Sequence, residues 1–250
     1  MKKIIDKVIR GSLATSGKIA VYHTPADKIK ALARLIYPVK TDKPLIRLGG
    51  QRDGGYLVPD DLEGISACFS PGVDQVSEFE LACINRGMHV YLADQSVDAP
   101  GTDLPEGKFT FLKKFIGPAE KEGYTTMEQW VGNSEVTNGE ELLLQMDVEG
   151  AEYYTILSMS DDLISRFRII VVEFHWLDQL WQKPFFHLVM AVLEKLTRNH
   201  TCVHNHPNNF YPRPHWFKEV PIPRLMELTF LRNDRINEKS FTNQFPHPLD

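Results

Sequence analysis

Short apolar runs alternate along this chain with segments whose apolar residues recur at helical spacing. The clearest run is 168–174, where β-branched residues follow one another as in a strand that is buried on both faces. The runs predict strands at 67–70, 89–93, 109–115, 142–146, 168–174, 201–204 and 225–231. Helices are predicted at 78–86, 126–131, 151–159 and 185–197. This alternation predicts an α/β fold with a doubly wound, mostly parallel sheet of seven strands.

The last two predicted strands, 201–204 and 225–231, have no helical segment between them. Parallel neighbours in one sheet need a long crossover, which is usually a helix. We therefore expect these two strands to form an antiparallel hairpin at one edge of the sheet.

The first 45 residues predict a separate helical extension. Ile29, Leu32 and Ile36 recur at helical spacing, and Pro38 and Pro44 mark the end of the segment. A length of 250 residues suits one large domain with a modest addition. We predict a helical N-terminal extension at 1–45 and one catalytic domain at 46–250.

Charge and cysteine content narrow the function classes. The net charge of −5 disfavours non-specific nucleic-acid binding, which needs a basic face. The three cysteines are widely spaced and include no C-x-x-C pair, so free buried thiols in a reducing compartment are expected. The sequence shows neither a signal-peptide pattern nor an apolar run of about 18 residues, which predicts a cytoplasmic protein without a transmembrane segment.

Three carboxylates follow the predicted strand at 142–146. Asp147, Glu149 and Glu152 lie where that strand gives way to a helix. In open α/β sheets, ligands bind at the carboxyl ends of the strands. Desolvating unpaired carboxylates is costly, so packing alone does not account for three of them. This segment therefore predicts part of a binding or catalytic site.

A nucleoside site is predicted between the first two strands. The turn after 67–70 contains one glycine, Gly72, whereas a dinucleotide fingerprint has three. Asp94 ends the next strand, 22 residues after Gly72, close to the roughly 20-residue spacing at which an acid binds ribose hydroxyls. The pattern favours a nucleoside ligand without a pyrophosphate over a nicotinamide dinucleotide.

Glu173 and His175 end the strand at 168–174, and strand alternation places both on one side. Together with Asp147 they can bind a hydroxyl substrate or a divalent cation. Mixed carboxylate and imidazole ligands suit magnesium, manganese or iron better than structural zinc. Farther along, His206 and the loop that follows it present polar groups and aromatic residues suited to a sugar.

With these segments assembled, the chain from about Leu48 to Arg232 resembles the FkbM family of S-adenosylmethionine-dependent methyltransferases. Five parallel strand units followed by an antiparallel hairpin are also the layout of class I methyltransferases. The segments that carry the family resemblance are DGGY (53–56), FSPGV (69–73), SEFE (77–80), AD (93–94), TTMEQW (125–130), MDVEGAE (146–152), VEFH (172–175) and HPNN (206–209). MDVEGAE is the most specific of them.

The resemblance implies O-methylation of a sugar hydroxyl, with S-adenosylmethionine as cofactor and a nucleotide-linked sugar, polysaccharide precursor or glycolipid precursor as substrate. It also implies acids at the ends of the fourth and fifth strands that hold magnesium or manganese in related sugar methyltransferases. The alternatives are a non-catalytic sugar- or nucleotide-binding module and a nicotinamide-dependent oxidoreductase. The expected partners are a small-molecule or saccharide substrate and no nucleic acid, and self-association into a homo-oligomer is left open.

The residues predicted for catalysis are His175, His206, Asp147 and Glu173. Those predicted for cofactor binding are Asp53, Gly54, Gly55, Tyr56, Pro71, Gly72, Ser77, Asp94, Ser96, Asp147 and Glu149. Those predicted for substrate binding are Glu152, Trp176, Asn208 and Asn209. A metal ion, if bound, is predicted at Asp147 and Glu173.

Overall fold

The fold follows the alternation of apolar runs in the sequence. The structure is a computed structural model that describes residues 2–51, 54–73, 76–208, 214–217 and 220–250. Its α-helices are α1 Lys2–Thr15, α2 Ala26–Leu35, α3 Glu78–Ile84, α4 Met127–Gly132, α5 Glu152–Ser158, α6 Asp161–Arg166 and α7 Lys183–Leu196. Two short 3₁₀ helices lie at Leu177–Trp181 and Asn233–Arg235.

The strands are β1 Val39–Thr41, β2 Leu45–Leu48, β3 Tyr56–Pro59, β4 Ile65–Pro71, β5 His89–Ala93, β6 Phe109–Leu112, β7 Phe115–Ile116, β8 Tyr124–Thr125, β9 Glu141–Met146, β10 Phe167–Phe174, β11 His200–Pro207, β12 His215–Phe217, β13 Val220–Ile222, β14 Met226–Arg232 and β15 Lys239–Phe241. Seven of them form one sheet in the order β6-β5-β4-β9-β10-β14-β11. The α/β class and the mostly parallel seven-stranded sheet are therefore confirmed.

The five strands from β6 to β10 in this order are parallel to their neighbours. Strand β14 is antiparallel to both β10 and β11, and it lies between them. The two last sheet strands pair as predicted, but only β11 forms the edge. As a result, β14 brings its side chains next to those of the central strand β10.

The strand predicted at 109–115 is shorter than expected. Strand β6 ends at Leu112, and Phe115 begins β7, which pairs with β8. The chain turns at this point because the N–H of Lys114 donates to the carbonyl of Leu112 at 2.8 Å, and Lys113 forms an ion pair with Asp98. A local turn thus interrupts an apolar run that reads as continuous.

Both faces of the sheet are covered. All eight residues of β10 are buried, as expected for a central parallel strand. One face packs against α4, α5, α6 and α7, and the other packs against α3 and the β2–β3 hairpin. With the faces closed, the open edge at the carboxyl ends of β4, β5, β9 and β10 is where a ligand can enter.

The N-terminal segment contains the helices α1 and α2. Ile29, Leu32 and Ile36 are buried in the same core as the helices on the main sheet, and β1 pairs with β15. The division of the chain at residue 45 stays a prediction. Within the described part of the chain, none of the helices has the length and apolar character needed to cross a membrane.

Candidate functional site

A single glycine lets two strand ends meet. Gly72 follows β4 with φ +87°, and its N–H donates to the carbonyl of Ala93 at 3.0 Å. The N–H of Asp147 donates to the carbonyl of Pro71 at 3.2 Å. A Cβ atom on Gly72 would lie 1.4 Å from the carbonyl oxygen of Asp147, so no other residue fits here without moving the backbone.

Asp94 fixes the loop on the other side of that turn. Its Oδ2 accepts from the N–H of Val73 at 3.0 Å. Its Oδ1 accepts from the N–H and the hydroxyl of Ser96, both at 2.6 Å. The carboxylate therefore joins the turn after β4 to the loop after β5. Oδ2 accepts one of these hydrogen bonds and retains lone-pair capacity for a further donor, such as a ribose hydroxyl.

These residues border one cavity of about 290 Å³ at the carboxyl edge of the sheet. Its lining residues are Gly54, Tyr56, Gly72, Val73, Val76, Phe79, Glu80, Asp94, Ser96, Gln145, Asp147 and Glu149. The described lining thus includes four acids and no lysine, arginine or histidine. A ligand with positive charge and hydroxyl donors is complementary to such a surface.

The structure brings together seven of the residues predicted for cofactor binding. Gly54, Tyr56, Gly72, Asp94, Ser96, Asp147 and Glu149 all line the cavity.

Three of the other four lie elsewhere. Gly55 packs against the backbone of Gly50, Pro71 is buried within β4, and the N–H of Ser77 donates to Thr102 at 2.7 Å. Asp53 falls outside the described residues.

Next to the cavity, His175 is surrounded by carboxylates. Its Nε2 lies 3.3 Å from Glu149 Oε2, 3.7 Å from Glu173 Oε1 and 3.8 Å from Asp147 Oδ1. His175 is buried, whereas the side chain of Glu149 is 87% exposed. The imidazole is therefore held by acids that extend from the protein interior to the solvent.

Glu152 supports this cluster from behind. It is fully buried, and its Oε1 accepts the N–H of His175 at 2.8 Å and lies 3.5 Å from the Nδ1 of the same residue. Its Oε2 accepts the N–H of Gly150 at 2.8 Å. Glu152 is thus engaged inside the protein, and its position suits orienting His175. The substrate-binding role stays a prediction.

The charges around His175 change its titration. Burial lowers the pKa of the imidazole, but the hydrogen bond and charge of Glu152 and the charges of Asp147 and Glu173 outweigh burial and raise the pKa to about 9. At neutral pH the ring is therefore protonated. It can donate hydrogen bonds and offset the surrounding negative charge, but it has no free lone pair with which to accept a proton.

Glu173 has an acidic neighbour on the adjacent strand β14. Glu173 and Glu227 are cross-strand partners on β10 and β14. The side-chain amide of Asn208 donates to Glu173 at 3.2 Å and approaches Glu227 at 3.5 Å. Burial raises the pKa of Tyr56, and the charges of Asp147, Glu173 and Glu227 raise it further. Tyr56 therefore stays a neutral phenol. Asn208, which donates to Glu173, orients that carboxylate.

His206 has a different main partner. Its Nδ1 lies 3.3 Å from Asp250 Oδ2, and His204 Nε2 lies 3.0 Å from Asp250 Oδ1. In the sheet, His206 pairs with Glu227, which in turn pairs with Glu173. His206 thus lies in the same cross-strand row as Glu173 but two strands away, and its catalytic role stays a prediction.

Strained backbone marks the loop near His175. Glu149 and Trp176 both have positive φ, 53° and 59°, although neither is glycine. A Cβ on Gly150 would lie 2.3 Å from the ring of Trp176, so the loop and the ring are packed tightly together. Trp176 is 39% exposed and can contact a substrate at the mouth of the site. Asn209, also predicted to bind substrate, lies outside the described residues.

Three of these side chains have a geometry that suits a cation. One ligand atom from each of Asp147, Glu149 and His175 lies within 4.8 Å of the others. Glu152 beside Nδ1 would orient the imidazole toward such an ion, as carboxylates behind metal-binding histidines do. The sequence predicted Asp147 and Glu173 for this role. The group brought together among the described residues is Asp147, Glu149 and His175.

Sequence reasoning missed Glu80, Gln145 and Glu227 as site residues. Glu80 and Gln145 line the cavity, and Glu227 adjoins Glu173. One signal was present for Glu80, which shares a helix face with the buried residues Cys83 and Ile84. A charged residue on an apolar helix face indicates a buried polar contact.

Comparison with known proteins identifies the class of the central segment. Residues 132–199 match the family model described as the methyltransferase FkbM domain. None of the curated proteins matches the chain. Among solved structures, the chain resembles that of the "putative RNA methyltransferase PH1948 from Pyrococcus horikoshii", with a TM-score of 0.35 and 10% sequence identity, over 69% of this chain and 76% of that chain. The predicted resemblance to the FkbM family is confirmed by the family match, which supports a methyltransferase.

Proposed function

We propose that this protein is an S-adenosylmethionine-dependent O-methyltransferase that acts on a sugar hydroxyl. The sugar is carried by a nucleotide or belongs to a polysaccharide or glycolipid precursor. The observation that carries the proposal is one acidic cavity, which connects the turn at Gly72 and Asp94 with the cluster of Asp147 and Glu149 around His175. It is supported by the match to the methyltransferase FkbM domain.

The cavity fits S-adenosylmethionine in three respects. Gly72 presents backbone without a side chain to the cavity, Asp94 can accept a hydrogen bond from a ribose hydroxyl, and the acidic lining suits a cationic ligand. The cofactor supplies an electrophilic methyl group. The task left to the protein is to align the acceptor oxygen and to remove its proton.

We assign proton removal to Asp147, which lines the cavity and lies 3.8 Å from His175. His175 is the weaker candidate at neutral pH because its pKa is raised to about 9. As a cation it instead holds Asp147 and Glu173 in place. A positioned base of this kind contributes roughly 10² to 10⁴ in rate.

A divalent cation gives a second route to activation at the same residues. Asp147, Glu149 and the neutral form of His175 would hold magnesium or manganese, with the imidazole proton displaced, and the ion would lower the pKa of a bound hydroxyl. Chelation followed by readdition of metal separates the two routes. Loss and recovery of turnover would assign activation to the ion, and unchanged turnover with no metal by elemental analysis would assign it to a general base.

The substrate class is proposed from the groups at the mouth of the site. Glu173 and its donor Asn208 offer hydrogen bonds, and the half-exposed ring of Trp176 offers an apolar surface. Sugars combine both kinds of surface. We also propose a cytoplasmic location, which agrees with three free and buried cysteines.

The test is incubation with methyl-labelled S-adenosylmethionine and a panel of nucleotide sugars and of polysaccharide and glycolipid precursors. Labelled sugar supports the proposal. Binding of cofactor and sugar without transfer would support a binding module instead, and hydride exchange with a nicotinamide cofactor would support an oxidoreductase.

A further inference from the structure

Glu80 is a buried acid in the cavity for which the proposed methyl transfer has no use. It is 6% exposed, on the short helix α3, and it lines the cavity beside Gln145 and Tyr56. Its Oε1 lies 2.5 Å from the hydroxyl of Ser70, the penultimate residue of β4. Burying a carboxyl group is costly, so its presence at a ligand cavity calls for a partner.

The hydrogen bonds around Ser70 indicate the protonation state of Glu80. The Ser70 hydroxyl lies 2.5 Å from Glu80 Oε1 and 2.6 Å from Gln145 Oε1. The amide nitrogen of Gln145 donates to Tyr56 at 3.3 Å, so its oxygen is the atom that faces Ser70. One hydroxyl has one proton to donate. With this orientation of the Gln145 amide, both short contacts are hydrogen bonds when Glu80 itself carries a proton, in agreement with burial, which raises its pKa.

The position of Glu80 in the cavity points to one part of the cofactor. Asp94 follows β5 and Asp147 follows β9, and β4 lies between these two strands. Ser70, near the carboxyl end of this middle strand, contacts Glu80. Adjacent strands lie about 4.8 Å apart. That spacing suits a molecule with ribose at Asp94 and its sulfonium toward Asp147, because two methylene groups join the sulfur to the carbon bearing the α-ammonium group.

We propose that Glu80 binds the α-ammonium group of S-adenosylmethionine and becomes ionised when that group enters. The inference rests on the proposed function. An ammonium group offers three donors and a charge, and the described cavity lining contains no competing cation. The ion pair would be largely desolvated, and its charge-assisted hydrogen bonds would make the cavity selective for ligands that carry the amino-acid end.

Ionisation of Glu80 predicts release of a proton on binding. The groups around it are Ser70 and Gln145, with the cavity acids Asp94, Asp147 and Glu149 and the phenol of Tyr56 in the same lining. Cys68 also interacts with its charge, but burial raises the pKa of that thiol, which stays neutral. A cation arriving at Glu80 lowers its pKa, and the proton goes to the buffer.

The test compares Glu80→Gln with Glu78→Gln by calorimetric titration of two ligands. Gln at position 80 keeps a hydrogen-bonding group for Ser70 and removes the charge, whereas Glu78 is exposed on the same helix. The ligands are S-adenosylmethionine and 5′-methylthioadenosine, which has the same nucleoside and lacks the amino-acid end. Repeating the titrations in buffers of different ionisation enthalpy measures the protons released.

We expect Glu80→Gln to weaken S-adenosylmethionine binding at least tenfold, to leave 5′-methylthioadenosine binding unchanged, and to abolish the proton release. Glu78→Gln should match the wild type in all three. Equal weakening for both ligands, or no weakening for either, would overturn the assignment of Glu80. Failure of the wild-type protein to bind either ligand would instead reject the proposed function.

Discussion

The buried carboxylate of Glu152 accepts the backbone N–H of His175 at 2.8 Å, and its other oxygen accepts the N–H of Gly150 at the same distance. One side chain thus joins the end of β10 to the loop after β9. The loop carries Asp147 and Glu149, and the strand end carries His175, so the separation of these groups depends on Glu152.

Replacing Glu152 with glutamine tests this link. An amide group presents one oxygen and one NH₂ to two N–H donors, so one donor loses its partner in a buried place. We expect the free energy of unfolding to fall by about 1–3 kcal/mol, with a loss of turnover larger than the loss of cofactor affinity. Urea unfolding and steady-state kinetics measure both effects.

The matched control is Glu149→Gln, because the side chain of Glu149 is 87% exposed and contacts the same histidine. Its stability should stay close to that of the wild type. Equal destabilisation by the two substitutions would show that Glu152 is not the residue that joins the loop to the strand.

The protonation of His175 makes stability depend on pH. The pKa is raised from 6.5 to about 9, so the folded state binds the proton more tightly than the unfolded state. The stabilisation is complete below pH 6.5 and is lost as pH rises through about 9. The difference in unfolding free energy between wild type and His175→Gln should shrink across this interval. A difference that grows with pH would contradict the cationic state.

Gly72 tests how closely β4 and β9 approach. Gly72→Ala places a methyl group 1.4 Å from the carbonyl oxygen of Asp147. We expect destabilisation of about 2–5 kcal/mol, which combines roughly 1–2 kcal/mol for left-handed backbone with about 1–3 kcal/mol for overpacking. Thermal or urea unfolding gives the value.

Gly87→Ala is the control for this substitution. Gly87 also has positive φ, 89°, but open space surrounds its Cβ position. Gly87→Ala should lower the free energy of unfolding by only the backbone contribution of roughly 1–2 kcal/mol. Similar losses for the two variants would mean that the strand ends separate easily.

Asp94 tests the nucleoside end of the cavity. Asp94→Asn keeps the size of the side chain but removes the charge and one acceptor that the loop uses. Hydrogen bonds to a charged group contribute roughly 1.5–3 kcal/mol each. We therefore expect S-adenosylmethionine binding to weaken at least tenfold by calorimetry. Unchanged affinity would remove Asp94 from the site.

Two substitutions distinguish a catalytic role of His206 from a structural role in holding the segment around Asp250. If His206 is a base, His206→Ala lowers turnover by about 10², and Asp250→Asn, which keeps the histidine, has a much smaller effect. Equal losses in the two variants would assign His206 to the ion pair with Asp250. Neither substitution should change cofactor binding.

The sequence predicts the seven strands of the main sheet because burial on both faces leaves continuous apolar runs such as that of β10. It also predicts that Asp147 and Glu173 meet, because they end neighbouring parallel strands. The position of β14 between β10 and β11 cannot be read from periodicity, which carries no information on strand order. The pairing of Glu173 with Glu227 depends on that order.

Side-chain partners were the least predictable feature. Glu152 is predicted from the sequence to bind substrate, and that it is fully buried and accepts two backbone N–H groups could not be predicted. The contact of His206 with Asp250 could not be predicted either. Both contacts join residues that are distant in the chain or that meet only through loop geometry, and neither spacing nor composition encodes such distances.

A crystal structure of the protein with S-adenosylhomocysteine and an acceptor sugar tests the central claim most directly. We predict the nucleoside between Gly72 and Asp94, with its ribose hydroxyls on the Asp94 carboxylate, and an acceptor hydroxyl beside Asp147 and His175. A ligand bound outside this cavity, or an acceptor oxygen out of reach of Asp147 and of any ion held with it, would contradict the account.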